Sequence, residues 1–245
     1  MCDFDALFAA LAWSEVMTRP MEFLIDGTSD AKCTVALAHG AGAGMDTPFM
    51  ARFAAGLAVK GLRVARFEFP YMAQRRRTGK RRPPDREPTL RESWLRVIEQ
   101  LGAKGLVIGG KSLGGRIASL VADEAGVAGL VCLGYPFHPP GQPDKLRVEH
   151  LIRLRTPTLI IQGERDSLGS RDEVVCYNLP PAIQIKWLPD GDHSFKPRKS
   201  SGRTEAENWN DGIDLAAEFV RNLAQLPQGL KKIGGRAIFS DAVLT

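Results

Sequence analysis

Gly105-Leu-Val-Ile-Gly-Gly-Lys-Ser-Leu-Gly-Gly-Arg116 is the stretch whose reading decides the fold. Leu106, Val107 and Ile108 form a short branched apolar run with the length of a fully buried strand. Small residues and Ser112 follow, and Ile117, Ala118, Leu120 and Val121 then continue at helical spacing. Gly110-Lys-Ser-Leu-Gly114 therefore reads G-x-S-x-G between a strand and a helix, the context in which a serine becomes the apex of a sharp turn. A serine there sits in strained backbone, and glycines two before and two after it let neighbouring chain pass without a Cβ clash. The turn lifts the Ser112 Oγ above the sheet. It also leaves the Leu113 N–H at the positive end of the new helix, where it can face an oxyanion. A strand-to-helix turn without chemistry can have the same composition. The rest of the chain must therefore supply a base, an orienting acid and a second oxyanion donor.

The chain has 245 residues, 44% of them hydrophobic and 25% charged, enough for one sizeable α/β core. No window approaches the ~18 unbroken apolar residues of a transmembrane helix. Phe4, Leu7, Phe8 and Leu11 suggest an amphipathic extension over residues 1–20, and Asp3 and Asp5 stand where a signal peptide has positive charge. A cytoplasmic location and no membrane partner are the expectation. Cys2, Cys33, Cys132 and Cys176 are widely spread without a C-x-x-C pair, and Cys33 and Cys132 lie in apolar strand-like runs, so buried thiols are expected there rather than disulfides or a metal site. Seven basic residues against Asp85 and Glu87 between Gln74 and Pro88 account for the net charge of +5. Pro83, Pro84 and Pro88 predict that this Arg-rich segment is a loop.

Residues 21–25, 34–38, 62–69, 106–108, 128–133, 157–162 and 183–188 read as strands. Helical patterns begin at Pro48 after Asp46 or Thr47, at Thr89, after Ser112, at Ser170 and at Trp209; residues 144–154 read as short helical or irregular chain. Strands alternating with helices predict an α/β fold. The expected form is a doubly wound, mostly parallel sheet of about six or seven strands with helices on both faces and little or no cap. The domain is expected over residues 21–225, with a tail at 226–245.

Each polar candidate lies just after a predicted strand, and in a parallel sheet those ends share one edge, where ligands bind. Ser112, Asp166 and His193 occur in that order. His193 would accept the serine proton through one ring nitrogen while Asp166 fixes its tautomer through the other. Glu164, two residues from Asp166, is the competing acid. His39-Gly-Ala-Gly42 follows the second strand with small residues whose N–H groups are free to turn inward, so the Ala41 or Gly42 N–H is the second oxyanion candidate. Such a turn could equally cradle phosphate, but it lacks the G-K-[ST] ending and the G-x-G-x-x-G spacing of nucleotide loops. His39 reads as a structural hydrogen-bonding residue. Lys111 beside the serine, with Arg75 and Arg76 on the basic segment, suggests an anionic substrate, with a solvated basic loop that meets no ligand as the equal alternative. No cofactor or metal is implied.

The sequence resembles the α/β-hydrolase superfamily, and in detail the small bacterial hydrolases related to the KANL3/Tex30 family. The resemblance rests on Ala38-His-Gly-Ala-Gly-Ala-Gly44, Arg66-Phe-Glu-Phe-Pro-Tyr71, the Arg-rich segment, Gly109 to Arg116, Gln162-Gly163 with Asp166, and Asp192-His193. It implies a doubly wound sheet, a Ser-His-Asp triad and hydrolysis of ester-like bonds, without naming a substrate. A small ester or thioester is the leading expectation, with peptidase or acyl-transferase chemistry open to the same triad. The competing class is a catalytically silent module whose Arg-rich segment binds nucleic acid or an acidic protein. That segment has no interleaved aromatics, so nucleic acid is not the expected partner. The sequence sets no oligomeric state.

Overall fold

The computed structural model describes residues 20–225, so the expected amphipathic extension, but for residue 20, and the C-terminal tail lie outside the described residues. Strands β1 (Leu24–Asp26), β2 (Thr34–Ala38), β3 (Arg63–Phe67), β4 (Leu106–Lys111), β5 (Gly129–Leu133), β6 (Thr158–Gly163) and β7 (Ile183–Leu188) form one sheet. Its order is β1-β3-β2-β4-β5-β6-β7. Only β1 runs antiparallel, against β3; the remaining pairs are parallel. The order reverses between β2 and β4, and the carboxyl ends beside such a switch point open the crevice where α/β sheets bind ligands.

Strand alternation sorts the core into two layers. Ala36, Ala38, Phe67, Ile108 and Cys132 face one side, packed by α3 (Glu87–Leu101) and α4 (Leu113–Ala125). Val35, Leu37, Val64, Val107 and Val131 face the other, packed by α1 (Pro48–Val59) and α6 (Glu205–Gln225). Burial on both faces explains why the central strands read as continuous apolar runs rather than alternating ones. No membrane-length apolar helix occurs among the described residues. Cys33 and Cys132 are buried free thiols. The segment between β5 and β6 is loop with one short 3-10 turn (Leu151–Arg153), so no cap domain stands over the carboxyl edge.

Three local expectations are corrected. Arg75, Arg76 and Arg77 lie in a helix, α2 (Pro70–Thr78), not a loop. Pro70 occupies its first turn, where a missing N–H costs nothing, and Gly79 ends it at φ +71°. The prolines at 83 and 84 constrain only the chain that follows. Next, α3 begins at Glu87, with Pro88 again in a first turn, rather than being capped by Thr89. Finally, the helix expected from Ser170 shrinks to α5 (Arg171–Val174). The chain beyond it tightens into i→i−3 turns, with Cys176 N–H on Glu173 O and Tyr177 N–H on Val174 O, before Pro180 and Pro181 stop it.

Trp94 ties the α3 layer to the serine turn. Its ring is fully buried, sits edge-on to Phe67 at 4.7 Å, and donates its N–H to the Gly114 carbonyl at 3.2 Å. Trp94→Ala is expected to destabilise the fold by about 3–5 kcal/mol in urea denaturation; a loss below about 1 kcal/mol would show that this layer does not carry the core.

Candidate active site

Ser112 sits at φ 51°, ψ −112°, in positive-φ backbone that non-glycine residues rarely adopt. The flanking glycines are there for the steric reason expected from their spacing. A Cβ on Gly110 would lie 2.1 Å from the Ala38 carbonyl oxygen, and one on Gly114 would lie 2.4 Å from the same atom. The serine turn is thereby pressed against the end of β2, where residues 39–44 begin. A Cβ on Gly40 would stand 3.8 Å from the Ser112 Cβ.

That loop has its carbonyls held. Tyr71 Oη donates to Gly40 O at 3.3 Å and Ala41 O at 3.0 Å. Arg75 Nη1 donates to Gly42 O at 3.0 Å. His39, fully buried, accepts the Phe69 N–H on Nε2 at 3.1 Å. Its Nδ1–H therefore donates to Gly40 O at 2.7 Å. Burial lowers the His39 pKa, which keeps the ring neutral. In a trans peptide the C=O and the following N–H point in opposite directions, so fixing the carbonyls of residues 40–42 fixes the N–H groups of Ala41, Gly42 and Ala43 away from Tyr71 and Arg75. The Leu113 N–H opens α4, where helix geometry gives it no intrahelical acceptor.

The acid and the imidazole meet at the neighbouring strand ends. Asp166, fully buried after β6, places Oδ2 at 2.7 Å from His193 Nδ1. The same carboxylate accepts from Gln162 Nε2 at 2.8 Å and from the Leu168 N–H at 2.9 Å. With the carboxylate ionised, the ring proton sits on Nδ1 and Nε2 remains an acceptor. Glu164 faces elsewhere, taken up by Arg171 at 2.7 Å and the Asp190 N–H at 3.0 Å. Asp192 spends Oδ1 on the Ser194 and Lys196 N–H groups, and so shapes the histidine loop. From α6, Asn208 Nδ2 holds the Pro189 and Phe195 carbonyls.

Serine and histidine share a corner around Gly134. The Ser112 N–H donates to Leu133 O at 3.0 Å, and a Cβ on Gly134 would lie 3.4 Å from His193 Cε1. Lys111 closes the corner: its ammonium donates to the His193 carbonyl at 2.6 Å and lies 5.6 Å from the Phe49 ring and 5.9 Å from the Phe195 ring. The cations expected to meet substrate are thus engaged in structure. Lys111 braces the histidine loop and Arg75 braces the glycine loop. Arg76 forks onto Glu68 at 2.9 and 2.7 Å and reaches Asp46 at 2.8 Å. Tyr71, Gln162 and Asn208 were not assigned roles from sequence; Gln162 alone carried a signal, a polar residue ending an apolar strand. Among the described residues no cluster of His, Cys, Asp or Glu is arranged to hold a metal.

Residues 31–221 match a family model described as an alpha/beta hydrolase domain. An alpha-beta serine hydrolase homologue from Coxiella burnetii aligns with 83% of this chain and 91% of its own at 20% identity and a TM-score of 0.61. A serine hydrolase without a lid from Xanthomonas campestris aligns over 85% and 97% at 17% identity and a TM-score of 0.59. Dienelactone hydrolase from Anabaena variabilis aligns over 81% and 89% at 20% identity and a TM-score of 0.61. At these identities the structural likeness speaks for the fold.

Burial lowers the Lys111 pKa to about 8. Below pH 8 the folded protein carries the full burden of the enclosed charge. Between pH 8 and the ordinary lysine range the unfolded chain holds the additional proton, so this group's contribution to stability rises with pH. Lys111→Met removes that dependence. Its stability relative to wild type, from urea unfolding, is expected to be highest below pH 8 and to fall steadily towards pH 10; a difference independent of pH would refute the assignment.

Proposed function

The chain belongs to the alpha/beta hydrolase family, and from that premise we propose that it is a serine hydrolase of a small ester or thioester, with Ser112 as nucleophile, His193 as general base and Asp166 as the orienting acid. The observation that carries the reading is the buried Asp166 carboxylate bonded to His193 Nδ1, with the strained serine turn on the other side of Gly134. Within the family, the Gly109 to Arg116 stretch, with Ala38 to Gly44 and Arg66 to Tyr71, supports kinship with the KANL3/Tex30 relatives.

The chemistry follows from the donors present. Ser112 Oγ attacks the acyl carbon as its proton passes to His193 Nε2, and the Asp166 carboxylate stabilises the imidazolium. The carbonyl oxygen becomes an oxyanion facing the Leu113 N–H and the Ala41 or Gly42 N–H. Collapse expels the alcohol or thiol, which takes the proton from Nε2. A water molecule then gives its proton to His193 and its oxygen to the acyl carbon, and Ser112 Oγ leaves with that proton. The carboxylic acid product is released.

The silent-module reading loses part of the free basic charge it relies on. Arg76 is neutralised by Glu68 and Asp46, and Arg82 by Asp85.

A fluorophosphonate probe is expected to label Ser112, located by mass mapping. Ser112→Ala is expected to lose labelling and at least about 10³-fold of kcat on a short-chain chromogenic ester, and Asp166→Asn a comparable factor. Equal turnover by wild type and Ser112→Ala would overturn the proposal. Tyr71→Phe releases the Gly40 and Ala41 carbonyls while keeping the ring; kcat is expected to fall about tenfold, less than removal of a direct oxyanion donor would cost. An unchanged kcat would show that the loop holds its geometry without Tyr71.

A further inference from the structure

Arg116 and Arg147 have no part in the chemistry above. The Arg116 N–H donates to the Ser112 carbonyl at 3.0 Å, one helical turn along α4. Helical side chains lean towards the N-terminus, so Arg116 projects back over the turn that carries the serine. Its Nη1 lies 3.3 Å from Glu87 Oε2 at the start of α3. Its Nε–H is buried and meets no acceptor among the described residues. Arg147 arrives from the loop after β5, partly buried, and its guanidinium makes no hydrogen bond or ion pair among the described residues.

A polar chain links the two backbones. Ser119 Oγ donates to Arg116 O at 2.6 Å, and Tyr135 Oη donates to Arg147 O at 3.0 Å. His150 Nε2 lies between, 2.8 Å from the Ser119 hydroxyl and 3.3 Å from the Tyr135 hydroxyl. Each hydroxyl has one proton, already given to a carbonyl, so His150 donates to both from Nε2. Burial and the neighbouring Arg116 push its pKa down to about 4, leaving the ring neutral. Burial and the charge of Arg116 likewise lower the pKa of Arg147. The acids near this group are Glu87 and Glu149. Glu87 is half exposed and bonds Arg116 alone; Glu149 is exposed and bonds neither arginine. Two arginines of like charge thus stand on stretches of chain joined by this polar chain, and one has a buried donor without an acceptor among the described residues, an arrangement that an anion would relieve.

We propose that Arg116 and Arg147 form an anion subsite of the active site that takes a carboxylate on the acyl chain of the substrate. The planar forks suit a carboxylate better than a point cation would. The Arg116 N–H bonds the Ser112 carbonyl one helical turn away, so the carboxylate belongs within a few bonds of the acyl carbon, as in a short dicarboxylic half-ester or half-thioester. This inference rests on Ser112 being the nucleophile, because the distance is counted from it.

The test compares kcat/KM for mono-p-nitrophenyl glutarate with that for p-nitrophenyl valerate, which has the same chain length without the charge. Wild type is expected to favour the glutarate ester at least tenfold, and Arg147→Met to bring the ratio close to one. Arg147→Lys, which keeps the charge but not the fork, is expected to fall between them. Damage to folding lowers both rates alike and leaves the ratio standing. A wild-type ratio at or below one, or a ratio unchanged by Arg147→Met, overturns the subsite. In either case, phosphonate labelling of Ser112 shows whether the hydrolase reading survives. Absence of both labelling and turnover overturns that reading and this one together.

Discussion

The Ala38 carbonyl oxygen lies in the crook of the serine turn, so close that neither Gly110 nor Gly114 could carry a side chain. That contact is the constraint on which the site depends. It presses the end of β4 and the start of α4 against the end of β2, and it leaves Ser112 in its positive-φ conformation because the chain has no room for a wider turn. The same contact puts the glycine loop after β2 beside the serine. The proposed oxyanion donors and the proposed nucleophile therefore come from one packing event rather than from three separate loops. Preorganisation of this kind is what lets hydrogen-bond donors stabilise developing charge without reorganising during the reaction.

Around that contact, polar side chains are spent on holding backbone. Tyr71, Arg75 and His39 hold the carbonyls of the glycine loop. Lys111 holds the carbonyl of His193, and Gln162 bridges the Tyr135 carbonyl and the Asp166 carboxylate. Each is a buried or partly buried donor meeting a carbonyl or carboxylate, which satisfies the polar group and fixes a peptide plane in one step. The loops at the carboxyl edge of the sheet gain rigidity from these bonds and not from regular structure. A site without a cap needs that rigidity from within.

The sequence made the sheet legible because a strand buried on both faces is a short apolar run with a defined beginning and end; β2 and β7 fall where the pattern puts them. The serine turn was legible because its steric requirement is local: two glycines at fixed distance from the serine. The choice of Asp166 over Glu164 as the histidine's partner was also reachable, since it depends on the loop apex. The basic segment was misread for the opposite reason. Nothing local to Arg75–Arg77 shows that Glu68 and Asp46 will neutralise Arg76, or that a helix starting at Pro70 continues through the arginines. The role of Tyr71 was hidden likewise, because its acceptors lie thirty residues earlier and come within reach only when β3 pairs with β2.

The distribution of positive charge argues that the edge is polarised by design of the fold. On the β2 side three arginines are tied down: Arg66 to Asp26, Arg76 to Glu68 and Asp46, and Arg75 to a carbonyl. On the β5 side, among the described residues, the Arg147 guanidinium meets no hydrogen-bond or ion-pair partner and Arg116 pairs with one half-exposed acid. If the fold merely needed positive charge for solubility, there would be no reason to bury the Arg116 Nε–H without an acceptor among the described residues. A free charge in a low-dielectric corner is costly, and it persists where something outside the chain supplies its counterion. Arg116 stands one helical turn from Ser112, so under the proposed function the molecule best placed to supply that counterion is the one whose acyl carbon the serine would attack.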